Sequence, residues 1–271
     1  MTNHATNYTV DELMTVAIAR DLQNDEMAFI GLGTGGRALQ VAVGIPFSAC
    51  NLARMTHAPR FNILFETMMN PKPDVMPENF IESDAAVLNW PCDAHLTPSE
   101  VFNLFRRGKV TIGFVSGAQI DQYGNLNIVA IGDYHRPKAR LVGALLQTEH
   151  MAFGKRNIIP VDLSRRTFVP KVDFRSGFGH GEGSGSRERY LLPGGGPKLV
   201  VTNMAVFDFE EQSRRMRIHS VHPGRTVEEI KANCSFELVV PDYVPCTEPP
   251  TREQVDLLRH YIDPHGILMN H

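Results

Sequence analysis

The chain has 271 residues, 42% of them hydrophobic and 21% charged, with 27 basic against 30 acidic side chains and a formal net charge of −3. That length and composition suit a globular domain with a full core and exclude a disordered chain. The slight acidic excess excludes a dominant nucleic-acid surface, which needs a basic surplus, and gives no reason to expect an anionic membrane as partner.

The first residues, 1–7, are polar and read as a frayed end. Thr9-Val-Asp-Glu12 is a capping box, and Leu13, Met14, Ala17, Ile18 and Leu22 follow at helical spacing, which predicts a helix over 10–23. A short apolar strand, 27–30, runs into Gly31-Leu-Gly-Thr-Gly-Gly36, and Pro46 opens a second helix over 46–56. Residues 61–65 (FNILF) form a buried strand that ends at Glu66. The stretch 67–97, with prolines at 71, 73, 77 and 91, reads as irregular; Thr97-Pro-Ser-Glu100 then opens another helix.

Strands follow at 110–115, 126–131, 139–142 and 157–162, with turn chemistry in Asp121-Gln-Tyr-Gly-Asn125. The glycine-rich stretch 176–197 predicts a long flexible loop. Residues 198–209 and 216–221 read as a hairpin pair. Thr226-Val-Glu-Glu229 caps a short helix, 236–240 reads as a strand, and 251–262 as a final helix ending at Asp263-Pro264. The alternation of helices with short apolar strands over the first 170 residues predicts an α/β fold with a mostly parallel sheet and helices on both faces. There is no internal repeat and no linker, so 1–271 reads as one domain.

Gly31-x-Gly33-x-x-Gly36 matches the dinucleotide fingerprint in form, but no Asp or Glu lies between Glu26 and Glu66 to hold a ribose. A glycine turn that lets backbone approach a neighbour or ligand is the better reading. Glu66 sits where an open α/β sheet places its ligand crevice; function and a loop-capping or arginine-pairing role stand level from position alone. Ser116-Gly-Ala-Gln119 follows a strand in the same way, and its N–H groups could hold an oxyanion or a phosphate, with a plain turn as the simpler alternative. His219 and His222 would point to opposite faces of a strand, against a metal pair. Gly183-Ser-Gly-Ser186 fails the nucleophile-elbow spacing, and Arg187 and Arg189 read as solvated cations on a loop. Cys50, Cys92, Cys234 and Cys246 lack C-x-x-C and zinc-finger spacing; no apolar run of about 18 residues exists and no secretory leader is seen, so they read as reduced thiols in a cytoplasmic protein without a metal site.

Ser116-Gly-Ala-Gln-Ile-Asp-Gln-Tyr-Gly-Asn-Leu-Asn127 and Ile131-Gly-Asp-Tyr-His-Arg-Pro-Lys138 together resemble the β subunit of glutaconate-type family I CoA-transferases. Asn7-Tyr-Thr, Val16-Ala-Ile-Ala19, Ala58-Pro59, Gly185-Ser-Arg-Glu-Arg189, Leu192-Pro-Gly194, Leu199-Val-Val-Thr202 and Ile262-Asp-Pro264 agree in the right order, so the resemblance spans nearly the whole chain. It implies a three-layer α/β/α CoA-transferase fold, a homologous α subunit in an (αβ)2 or larger assembly, and coenzyme A as substrate with no bound cofactor. It implies Glu66 as the catalytic glutamate, and an oxyanion or CoA-binding turn at Gly117, Ala118 and Gln119, with Gly143 beyond it. The expected reaction moves CoA between an acyl-CoA and a carboxylic acid through a glutamyl-CoA thioester.

The chain departs from the family pattern at three places. Glu66-Thr-Met68 replaces Glu-Ser-Gly, extra residues lie around 33–43, and Gly143-Ala-Leu-Leu-Gln-Thr148 replaces a glycine-rich loop. These departures keep two alternatives in view: an acyl-CoA hydrolase of ring-cleaving type on the same fold, and a non-catalytic β subunit.

Overall fold

The computed structural model describes residues 3–32, 35–77 and 88–269. They fall into two compact units, Met1–Phe114 with Glu248–His271, and Val115–Thr247. Met1, Thr2, Gly33, Thr34 and residues 78–87 and 270–271 lie outside the described residues, and so do the parts of the frayed end, the glycine loop and the irregular stretch that fall on them.

In the first unit, Thr9 caps α1 (Val10–Ala19) through a complete capping box. Glu12 of that box is fully buried and also receives Arg259 Nε at 2.5 Å and Nη2 at 2.9 Å, so one carboxylate ties the first helix to the C-terminal segment. Residues 3–5, expected to be frayed, are anchored: Ala5 N–H donates to Pro250 O at 2.9 Å and Arg252 N–H to Asn3 O at 3.0 Å. Strands β1 (Met27–Ile30), β2 (Asn62–Phe65) and β5 (Ile112–Phe114) are parallel in the order β5-β1-β2, with Ile30 opposite Phe65. Two antiparallel strands, β3 (Met68–Met69) and β4 (Ala94–His95), extend this sheet from β2. They lie inside the stretch that composition marks as irregular, because its prolines flank the strands.

The second helix starts earlier than expected. A helical turn begins at Arg37, directly behind Gly36, and runs through a π-helical turn, Gln40–Gly44, into α2 (Ile45–Met55). Proline removes a donor and crowds the carbonyl four residues back, and the wider π turn ahead of Pro46 accommodates this. Gly44 has a packing reason: a Cβ there would lie 1.9 Å from Leu268 O. After α3 (Pro98–Arg106) the chain enters β5. Phe47, Phe65 and Trp90 pack with ring centroids 5.3–5.5 Å apart beneath the end of β2, each pair contributing about 0.5–1.5 kcal/mol beyond burial.

In the second unit, β6 (Gln119–Ile120) and β7 (Leu126–Asn127) form a hairpin around buried Asp121, whose Oδ1 accepts the N–H groups of Tyr123 and Asn125 at 3.0 and 3.1 Å. Burial raises the Asp121 pKa, and its bonds from Asn125 and Tyr123 oppose that. The expected strand 126–131 is broken after Asn127, whose Oδ1 accepts from Val129 and Ala130 N–H. Its second half, β8 (Ala130–Ile131), pairs with β9 (Ala139–Arg140). Helix α4 (Gln147–Phe153) leads to β10 (Arg156–Pro160), parallel to β11 (Pro197–Val201); β12 (Ala205–Phe209) and β13 (Met216–Val221) follow antiparallel. The expected strand 198–209 is two strands because Thr202 Oγ1 accepts from Met204 and Ala205 N–H and turns the chain. The segment 236–240 forms only an isolated bridge, Arg217 with Val239.

Of the buried histidines His150, His180 and His222 in this unit, two have strongly shifted titration. His222 donates from Nε2 to Thr202 O at 2.7 Å and accepts at Nδ1 from Thr247. His180 donates from Nε2 to Pro197 O at 3.0 Å. Burial lowers both pKa values from 6.5 to about 4. Below pH 6.5 the unfolded chain takes up protons that the folded chain refuses, so stability falls with pH between 6.5 and 4. The loss at pH 5 is about 2 kcal/mol per histidine, at 1.36 kcal/mol per unit. Thermal melts at pH 7.5 and pH 5 check this: His222→Gln is expected to shrink the difference in Tm between them, and an unchanged difference removes His222 as a source.

Candidate active site

β1, β2 and β5 run parallel and nearly in register, so their C-terminal ends share one edge of the first unit's sheet. Glu66 leaves β2 at that edge as the first of two residues joining β2 to β3. Its φ is +51°, in the left-handed region. Two-residue hairpin loops require a positive φ at this position, and glycine or asparagine normally supplies it. A glutamate there carries roughly 1–2 kcal/mol of backbone strain. Strain of this kind persists where surrounding structure enforces it, and functional sites are where it collects.

The surroundings do enforce it. Glu66 N–H donates to Ile30 O at 2.9 Å, and Leu96 N–H donates to Thr67 O at 2.7 Å. Asn70, also left-handed, accepts Ile63 N–H on its Oδ1 at 2.8 Å and donates to Asp93 at 2.9 Å. Glu66 itself is half-buried. Its Oε1 accepts Leu32 N–H at 2.5 Å, and a Cβ on Gly31 would lie 3.3 Å from the same oxygen. The glycine turn therefore approaches a neighbour, as its sequence suggests, and the neighbour is the Glu66 carboxylate. Leu32 carries no sequence signal for this role, because a backbone donor leaves none. The pairing becomes visible only once Ile30 and Phe65 are known to end side by side.

Thr67-Met68, the departure from the family pattern, is absorbed by the strand pair: Met68 is fully buried opposite Phe65 and His95. From Arg37 on, the extra segment forms the helical and π turns behind Gly36.

The second predicted cluster lies in the second unit. The Ala118 N–H donates to Asn127 O at 2.9 Å, and the Gly143 N–H to Ile128 O at 3.0 Å. Gln119 is buried; its Oε1 accepts from Asn127 at 2.7 Å and its Nε2 donates to Asp173 at 3.0 Å. The backbone donors of Ala118 and Gly143 are thus engaged inside the second unit, and the Gln119 side chain braces the hairpin. Gly117 differs. Its N–H reaches no acceptor among the described residues, and a Cβ there would press on Gln119 O at 3.2 Å and Asn127 O at 3.3 Å.

Other candidates resolve simply. His219 is exposed beside Asp208 at 3.2 Å while His222 is buried, so the pair does not converge. Among the described residues no group of three or more metal-ligating side chains occurs. None of the four cysteines is in a disulfide. No described helix is long and apolar enough to cross a membrane.

The family model for coenzyme A transferases matches residues 11–233. The chain is 34% identical over 254 residues to the β-type subunit of 3-oxoadipate CoA-transferase from Pseudomonas knackmussii, covering 93% of this chain and 92% of that one. It is 32% identical to the β-type subunit of glutaconate CoA-transferase from Acidaminococcus fermentans, covering 96% and 94%. The crystal structure of glutaconate CoA-transferase from that organism superposes with a TM-score of 0.83 at 29% identity, covering 97% of this chain and 98% of the other, as the three-layer α/β reading requires. A cholesterol ring-cleaving hydrolase IpdB subunit from Rhodococcus jostii is more distant, at 27% identity, with 82% of this chain and 83% of the other covered. With the family model across most of its length and β-type subunits matching it nearly end to end, the chain belongs to the coenzyme A transferase family.

Proposed function

We propose that this chain is the catalytic β-type subunit of a two-subunit CoA-transferase, working with a homologous α subunit in an (αβ)2 or larger cytoplasmic assembly, with Glu66 as nucleophile. The observation that carries the reading is the strained Glu66 turn with its carboxylate held by the Leu32 N–H. A Glu66 oxygen attacks the acyl-CoA carbonyl carbon, the C–S bond breaks, and a mixed anhydride and CoA thiolate result. The thiolate attacks the Glu66 carbonyl carbon and expels the first carboxylate, leaving a glutamyl-CoA thioester. The incoming carboxylate takes the CoA by the same steps in reverse, so protons and electrons balance throughout.

Each addition develops an oxyanion. One backbone donor aimed at it supplies about 3–4 kcal/mol in comparable sites; the family resemblance assigns that donor to the 117–119 turn, where the Gly117 N–H has no acceptor among the described residues. The Leu32 bond orients the carboxylate and supports its charged form.

Trapping tests the reading. The assembled enzyme incubated with acyl-CoA and then borohydride is expected to yield Glu66 reduced to an alcohol, seen by mass spectrometry. Turnover without that product favours the hydrolase route, in which Glu66 activates water.

A further inference from the structure

The hairpin of β8 and β9 carries a motif that the chemistry at Glu66 leaves unused. In a chain of net charge −3, residues 131–140 hold Arg136, Lys138 and Arg140 with His135, against a single acid, Asp133. That acid is committed to the turn: its Oδ1 accepts the N–H groups of His135 and Arg136, both at 2.9 Å. The Arg136 and Lys138 side chains meet no acceptor among the described residues.

The cations sit beside rings. The Arg140 guanidinium lies 4.9 Å over the Tyr134 ring and donates to Tyr134 O at 3.0 Å. The Tyr134 ring stacks on Phe174 at 5.1 Å and 22°, yet remains 46% exposed. The platform is braced from below, since Gly132 N–H donates to Asp173 at 2.8 Å and Asp173 is held by Gln119. Lys138 is steered too: its stem runs along Gly132, where a Cβ would lie 3.4 Å from Lys138 Cγ.

An exposed ring stacked with arginine, next to cations lacking acids, matches a ligand that joins an aromatic base to several phosphates. We propose that this hairpin binds the 3′-phosphorylated adenosine diphosphate end of coenzyme A, with Tyr134 and Arg140 against the base and Arg136 and Lys138 on the phosphates. The proposal rests on the CoA-transferase reading.

The test compares acyl-CoA with the same acyl group on pantetheine, which lacks the nucleotide. In the assembled enzyme, Arg136→Ala/Lys138→Ala is expected to raise KM for acyl-CoA about tenfold and weaken its salt dependence, with KM for acyl-pantetheine unchanged. Tyr134→Ala is expected to raise KM for acyl-CoA several-fold. Unchanged acyl-CoA kinetics in both variants, or an equal rise for both thioesters, overturns the assignment. If the parent transfers no CoA at all, the functional reading has failed, and binding of free 3′-phospho-ADP by calorimetry still decides the hairpin. Binding to the parent and not to the double variant supports it; no binding to the parent, or equal binding to both, overturns it.

Discussion

Glu66→Gln is expected to lower CoA transfer by roughly 10³-fold or more, the order of loss seen when a covalent nucleophile is removed, while Tm stays within about 2 °C of the parent. The amide has the same shape and its oxygen still accepts the Leu32 N–H, so the turn keeps its geometry; the attacking charge is gone. Glu66→Gly separates the roles further. It deletes the hydrogen bond to Leu32, worth about 1.5 kcal/mol, and relieves roughly 1–2 kcal/mol of left-handed backbone strain. The two nearly cancel, so Glu66→Gly is expected to melt within about 3 °C of the parent and to be inactive. A residue kept for stability behaves otherwise: both variants would melt lower and retain turnover. Thermal melts read beside initial rates distinguish the cases, and an active Glu66→Gly enzyme returns the chain to the role of a non-catalytic partner.

Local signals in the sequence carry the helix starts. Thr9, Thr97, Thr226 and Thr251 all accept the N–H three residues on and begin helices where their patterns place them, because a capping box is closed by residues three apart and needs nothing distant. The end of β2 at Glu66 is legible for the same reason. What the sequence hides is decided by partners far along the chain. Gly44 has no local reason for its place until Leu268 is seen to need the space, and the helix that Pro46 marks as starting at 46 begins at Arg37. The 117–119 turn reads as a row of donors because nothing local says that Asn127 O takes the Ala118 N–H or that Asp173 takes the Gln119 amide. Gly31 and Leu32 become part of the site only through sheet order.

The glycine-rich stretch 176–197 departs furthest from its sequence reading, and the correction carries the second large expectation. Arg187, a solvated cation by sequence alone, is 6% exposed. Its Nε donates to Gly194 O at 2.8 Å, its Nη1 to Phe178 O and Gly179 O at 3.0 and 2.9 Å, and its Nη2 to Met151 O and Ala152 O at 2.9 and 3.3 Å. Burial lowers its pKa to about 10, with Glu188 opposing. Carbonyl dipoles solvate this cation, and in return it holds both ends of the loop and the end of α4. Glycines allow those carbonyls to converge: Gly196 is left-handed, and a Cβ there would meet Arg187 Cδ at 3.1 Å. Arg187→Met keeps much of the stem's volume but leaves buried carbonyls without a donor, an expected loss of about 3–5 kcal/mol. At about 2–4 °C per kcal/mol this lowers Tm by roughly 6–20 °C. Arg187→Lys is expected to recover little, since a single ammonium cannot serve acceptors arrayed around a planar fork. Limited proteolysis gives the local readout: cleavage within 176–197 should appear in Arg187→Met at temperatures where the parent resists. A variant that melts within about 2 °C of the parent and stays uncut would mean that the loop is ordered by something other than this side chain.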